Sequence, residues 1–242
     1  TNTVPISWSR QQSSIGKPSK RKAATFGFDA ISFSIIPTTI ASSTKFPASI
    51  SSFALRPSSD PFAISLSISS NTFDFKPYGA TPGHGLEWAR LITQWATSTY
   101  ENVEDSAFYI DLAEKLYNRA VVDAWNADGA PGICYTTDWE GKPVVRDRMH
   151  WTLAEAINTA AVLFRVTGKQ EYADGYAEFM KYLDEVVLDH VNGSWFHQLN
   201  FNNEVIGTVW PGKSDLYHAV QATLIPYYRV NYSIAPAVQE LA

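Results

Sequence analysis

Three histidines, His84, His150 and His218, each stand at the start of a stretch with helical periodicity, 66 and 68 residues apart. The pattern between them repeats: helix, helix, a Gly-marked hairpin, then the next histidine-headed helix. Self-similarity at one helix pair per period is the signature of stacked helical hairpins, because one pair alone cannot bury its apolar face. The spacing predicts helices over 84–100, 105–125, 151–167, 170–190 and 215–230. In the second of these, Phe108, Leu112, Leu116, Ala120 and Val121 hold one face. Gly168 is placed to end the third helix, and Pro226 to kink or end the last. The stretches "NADGAPGICYTTDWEGKPVV" and "VNGSWFHQLNFNNEVIGTVWPGK" break helix, and each reads as two short strands about a polar turn. Stacking in this register places all three histidine-headed starts at one rim.

The periodicity begins only after Thr81. Residues 1–70 hold 18 of the 23 serines and six of the 13 prolines, with no glutamate and no histidine, and carry a net +5. The remaining residues carry −10, with all five histidines and seven of the eight tryptophans. Such a jump marks a boundary near residues 70–76. A Ser-rich, acid-poor leader fits a transit peptide, and the Ser/Pro content fits plain disorder. A third reading, that the segment is not native to the fold, is preferred because nothing before residue 71 shows helical periodicity. The one strand-like cluster there is "FAISLSI", which alternates. The expected division is therefore an irregular, low-complexity segment over 1–74 and a helical domain over 75–242.

Composition excludes several functions. The overall charge of −5 offers no basic field for nucleic acid. A lone cysteine, Cys134, rules out an internal disulfide and a cysteine-rich metal site. No run of 18 apolar residues is present in the sequence. A soluble, cytoplasmic chain with no nucleic-acid or membrane partner is expected.

No HExxH, HxH or Cys/His spacing points to a metal, no GxSxG elbow to a serine nucleophile, and "GATPGHG" lacks the Lys-Ser/Thr of a phosphate loop. Asp138, Glu140 and Asp215 lie in or beside the rim loops, so a carboxylate pair for glycoside cleavage stays open. Rim histidines suit another task. An imidazole titrates near pH ~6.5, so one can take a proton while another gives one. Moving a proton between adjacent sugar carbons needs a base for the C–H beside a carbonyl and an acid for the oxygen of the enediol. Trp88, Trp151, Trp195 and Trp210, all near the rim, could wall in a pyranose ring, and Glu87 could hold hydroxyls or orient an imidazole.

The segments "PYGATPGHGLEWARL", "GICYTTDWEGKPVVRDRMHWTLAEAI", "GSWFHQL" and "WPGKSDLYHAVQATLIP" resemble the N-acylglucosamine 2-epimerase family, in particular its aldose–ketose isomerase branch of mannose and sulfoquinovose isomerases. The resemblance runs from about Phe75 to Pro236. It implies an all-α fold, the C-terminal half of an (α/α)6 barrel with short β-hairpins at the rim. The histidine of the family's P-G-H-x-x-E-W motif falls on His84 and that of its D-x-Y-H motif on His218, which implies that these two are the acid/base pair. It implies a sugar-binding role for Glu87 and a site-lining one for Trp151. His197 falls on a polar, substrate-facing position. His150 is left without a role, and His190 reads as a helix-end cation.

The implied activity is cofactor-independent isomerisation or 2-epimerisation of a mannose-like monosaccharide through an enediol, with no metal. A family barrel needs about twice this globular length, and residues 1–70 resemble none of its first half. Open helix faces are therefore expected to favour self-association. The alternative is a non-catalytic remnant, a carbohydrate-binding or interaction module, or an inactive gene-model fragment.

Overall fold

The structure is a computed structural model that describes residues 53–55, 64–66 and 79–239. The expected irregular segment 1–74 thus lies almost wholly outside the described residues. Within it, Phe53–Leu55 (β1) pairs antiparallel with Ile64–Leu66 (β2), which falls in the alternating cluster noted above.

From Gly79 onward the chain is mostly helical, in the expected order. The helices are α1, Pro82–Thr99; α2, Val103–Ala124; α3, His150–Thr167; α4, Gln170–Tyr182; α5, Leu216–Leu224; and a short α6, Ile234–Gln239. Helix α1 packs on α2 and α3, and α3 packs on α4 and α5. So α1, α3 and α5 lie side by side, while α2 and α4 return outside them. This is the hairpin stack that the repeat requires.

Alanines make the central helix of that stack possible. Ala154, Ala156, Ala160 and Ala161 are all buried on α3, so its neighbours can approach closely on several sides. Leu86, Leu116, Leu153, Ile157, Tyr172 and Phe179 fill the layers between the helices. Polar ties also cross this core, among them the Thr159 hydroxyl donating to the Leu86 carbonyl at 2.7 Å. Arg90 on α1 donates from Nε and Nη2 to Glu155 on α3, at 2.7 and 3.0 Å, with both side chains almost fully buried. A bidentate guanidinium–carboxylate pair is the geometry that best compensates two buried charges.

Helix ends follow local chemistry. Pro82 opens α1, where its missing N–H costs nothing. Gly168 closes α3 in the left-handed conformation (φ 71°), its N–H donating to the Phe164 carbonyl at 2.8 Å. Pro226 ends α5 rather than kinking it: the helix stops at Leu224, short of the expected residue 230. The helix expected to reach residue 190 instead stops at Tyr182. It continues as one π-helical turn, Leu183–Val187, because the chain is leaving to pair with residues 194–196. Phe196 N–H donates to the Val187 carbonyl and Asp189 N–H to that of Ser194, while the Asp189 carboxylate caps the turn from Val191 and Asn192.

A three-stranded antiparallel sheet lies at the histidine end of α3. Its strands are β3, Arg148–Met149; β4, Gln198–Leu199; and β5, Val205–Ile206, in that order. The second expected hairpin is thus present, and β3, which was not expected, joins it. The first expected hairpin is also present, as a short pair of arms about a tight turn. The Asp138 carboxylate accepts from the N–H groups of Glu140 and Lys142, and the two arms pair through the Thr137–Pro143 bridge, with Asp138 N–H donating to the Lys142 carbonyl and Val144 N–H to that of Thr136. Pro143 needs no N–H at this position, and both backbone groups of Thr137 pair with Ala80 on its other edge. Among the described residues, no helix is long and apolar enough to cross a membrane. Leu91, Trp95 and Phe108 are exposed on the α1–α2 hairpin, and Leu216, Tyr217 and Val220 on α5.

Candidate active site

The three histidine-headed helix starts converge. His84 is on the first turn of α1, His150 is the first residue of α3 with Trp151 next to it, and His218 is on the first turn of α5. Their rings form a continuous row. His84 lies 5.0 Å from Trp151 between centroids, Trp151 lies 6.0 Å from His218, and His218 lies 5.8 Å from His150. His150 lies 4.5 Å from His197, whose ring stacks on Trp210 at 5.7 Å and 11°. Residues from three helices and the β4 loop are therefore assembled along one edge.

The row is locked at its centre by Asp215, the N-cap residue of α5. Its Oδ1 accepts the backbone N–H of His218 at 2.8 Å, the ordinary capping bond. Its Oδ2 accepts from Nδ1 of His218 at 3.0 Å and from Nε2 of His150 at 2.8 Å. Burial alone would raise the Asp215 carboxyl, but the His218 N–H bonds and the two imidazoles outweigh it and hold it at about 2. His150 is pushed down to about 4, first by burial and then by its histidine neighbours, against the pull of Asp215. It is neutral at physiological pH. The ligand atoms of His150, Asp215 and His218 lie within 4.8 Å of one another, a spacing that a divalent ion could bridge. The hydrogen bonds account for the arrangement by themselves.

At the other end of the row, burial lowers the His84 pKa, with Glu155 opposing, and its Nδ1 is buried with no hydrogen-bond partner. Burial also raises the Glu87 carboxyl, helped by Glu155 and opposed by Arg90 and His218. Glu87 therefore sits within the field of the same groups, one helical turn from His84. His197 is lowered by burial, with Asp215 opposing.

Of the expected site residues, His84, Trp151, His218 and His197 are brought into one row, and Glu87 lies beside it. Trp210 closes the row. Trp195 is buried in the core cluster and Trp88 packs against it. Asp138 is engaged in its own turn, so the rim carboxylates have separate jobs. His190 is exposed and bonds the Asp184 carbonyl at 2.7 Å. What sequence reasoning missed is the part played by His150 and Asp215. The Asp-x-x-His spacing of 215 and 218 signals a cap, but nothing local signals a partner 65 residues away.

Stacked hairpins gather imidazoles and indoles at one end, and comparison with known proteins relates the chain to carbohydrate isomerases and epimerases. Residues 65–222 match the N-acylglucosamine 2-epimerase (GlcNAc 2-epimerase) family, and the chain belongs to it. It is 45% identical over 168 residues to a D-mannose isomerase of Pseudomonas cannabina pv. alisalensis, covering 69% of this chain and 41% of that protein. It is 40% identical over 165 residues to a D-mannose isomerase of Thermobifida fusca, covering 68% and 40%. Among solved structures, a D-mannose isomerase superposes with a TM-score of 0.54 at 25% identity, over 63% of this chain and 37% of that one. A cellobiose 2-epimerase from Bacillus thermoamylovorans B4167 gives 0.51 at 15% identity, over 62% and 39%, and shares the fold. The chain spans about two fifths of the length of the curated relatives it matches.

Proposed function

We propose that residues 75–242 form part of an (α/α)6 ring and carry the acid/base pair of a cofactor-independent sugar isomerase. The observation that carries this reading is the placement of Trp151 between His84 and His218, at 5.0 and 6.0 Å. A flat apolar ring flanked by two imidazoles suits a monosaccharide that must be both stacked and deprotonated. His218 removes the proton from C2 of the open-chain aldose, and the electron pair forms the C1–C2 double bond of an enediol as O1 is protonated. His84 donates and accepts protons at oxygen during ring opening and enolisation. Return of the carbon-bound proton to C1, with loss of the O2 proton, gives the ketose. Return to the opposite face of C2 gives the epimer. Glu87 and His197 hold hydroxyls, and Trp151 lines the ring. Identity to D-mannose isomerases supports a mannose-like substrate.

The alternative reading is a carbohydrate-binding module without turnover. Incubation with mannose in deuterium oxide separates the two. Deuterium appearing at C2 or C1 is expected of the isomerase, and saturable sugar binding with no exchange would leave only the binding module.

A further inference from the structure

We propose that Asp215 is a positioning residue that fixes His218 as the Nδ1–H tautomer and leaves Nε2 as its basic nitrogen, with His150 as a neutral clamp on the same carboxylate. The role assigned to the basic nitrogen rests on the isomerase reading; the tautomer does not.

The geometry dictates the protons. An ionised carboxylate only accepts, so each imidazole nitrogen at hydrogen-bond distance from it must carry hydrogen. Nδ1 of His218 lies 3.0 and 3.2 Å from the two Asp215 oxygens, so the single proton of neutral His218 sits on Nδ1. Nε2, at the other edge of the ring, then holds the lone pair. The same argument places the proton of neutral His150 on Nε2, 2.8 Å from Oδ2. Its Nδ1, 3.4 Å from the His197 carbonyl, then faces acceptor to acceptor and makes no bond there.

His150 acts on His218 through Asp215. Its side chain is 1% exposed and that of Asp215 is 42% exposed, so the buried imidazole anchors a carboxylate that would otherwise sample water. Its backbone is anchored in turn, with its N–H donating to the His197 carbonyl at 3.1 Å. The carboxylate therefore serves as helix cap, tautomer selector and bridge between α3 and α5.

Asp215→Asn separates these tasks. Asparagine caps helices as well as aspartate, so α5 is kept. Its single oxygen can serve the His218 backbone N–H, while its NH2 group, a donor, meets the imidazoles and favours a lone pair on Nδ1. The test is nitrogen-15 NMR of the histidine side chains at a pH of about 8, above the imidazole range. In the unmodified protein His218 is expected to show a protonated Nδ1 and an unprotonated Nε2, and in Asp215→Asn the proton is expected on Nε2 or shared. If His218 of the unmodified protein carries its proton on Nε2, or Asp215→Asn changes nothing, the inference is overturned. The first measurement needs no variant to fold. On turnover, Asp215→Asn is expected to lower kcat about 10²–10⁴-fold with KM little changed, the usual worth of a correctly presented base. A variant that shifts the tautomer yet keeps full kcat would remove the catalytic half of the proposal. A chain with the expected tautomer but no deuterium exchange would instead sink the isomerase reading and leave the tautomer assignment standing.

Discussion

Trp151 reaches to within 5.0 Å of His84 across the first turns of α3 and α1 because the residue before His84 is a glycine. A Cβ on Gly83 would lie 2.8 Å from the Trp151 ring and 2.6 Å from Cγ2 of Thr152. The indole tip can swing away. Thr152 has less freedom, since its hydroxyl donates to the Met149 carbonyl at 2.8 Å. Gly83→Ala is therefore expected to cost about 1–3 kcal/mol, the usual range for overpacking, even though alanine is the better helix former. Urea denaturation of the two proteins checks this, and equal midpoints would show that the first turns do not press on each other.

The buried Arg90–Glu155 pair makes a second prediction. Removing one partner strands a charge in a core position, at a cost of about 3–5 kcal/mol. Arg90→Met should lose that much, whereas Arg90→Met combined with Glu155→Leu should recover most of it. Glu155 also raises the Glu87 carboxyl and opposes the lowering of His84, so the double variant should disturb the site even where stability returns. Chemical denaturation of the three proteins decides it. A double variant no more stable than Arg90→Met would mean that the pair holds α1 to α3 rather than only neutralising itself.

Stability should depend on pH through His150. Its pKa is about 4 in the folded chain against 6.5 for the unperturbed group, so between these values the unfolded chain binds a proton that the folded one does not. The contribution is complete above about 6.5 and is lost as pH falls towards 4, amounting to about 3 kcal/mol at its limit. His84 and His197 are also lowered and act in the same direction. His150→Gln keeps an N–H for Asp215 but cannot titrate, so its stability should fall less over that window. Urea midpoints between about pH 4 and 8 test this, and a flat profile for the unmodified protein would contradict it.

The helices and the register of their histidines are legible in the sequence because both depend on spacing along the chain. So is the end of α5, since Pro226 acts on its own neighbourhood. The first rim hairpin is legible too, since its arms close on the local turn that Asp138 caps. What no window shows is that Thr137 also pairs with Ala80, 57 residues back. The π turn over 183–187 is hidden for the same reason: its cause is the later pairing of Val187 with Phe196. Trp195 reads as a rim residue by position, yet it sits in the core, where it pairs with Leu188 and its carbonyl accepts from Ser214. In the candidate site the separate groups are legible, but the carboxylate that joins two of them is not. Asp215 meets His150 only once α3 and α5 lie side by side.

The last prediction concerns the two imidazoles at either side of Trp151. The C–H beside a sugar carbonyl is a weak acid, so its base must lie within hydrogen-bond reach of C2, and the partner must meet the oxygen where charge develops. His218→Asn removes the base and should abolish exchange of the C2 proton with solvent. His84→Asn should slow ring opening and enolisation while leaving some exchange on substrate that is already open. Each loss is expected to be about 10²–10⁴-fold in turnover. Glu87→Gln should raise KM more than it lowers kcat, because a residue that only holds hydroxyls contributes to ground state and transition state alike. Solvent-deuterium exchange, measured alongside initial rates on mannose, separates these outcomes. Should both histidine variants keep full turnover and exchange, the two-imidazole mechanism fails. A carboxylate would then become the better candidate for the base, with Glu87, raised by burial in the same field, ahead of the strongly lowered Asp215.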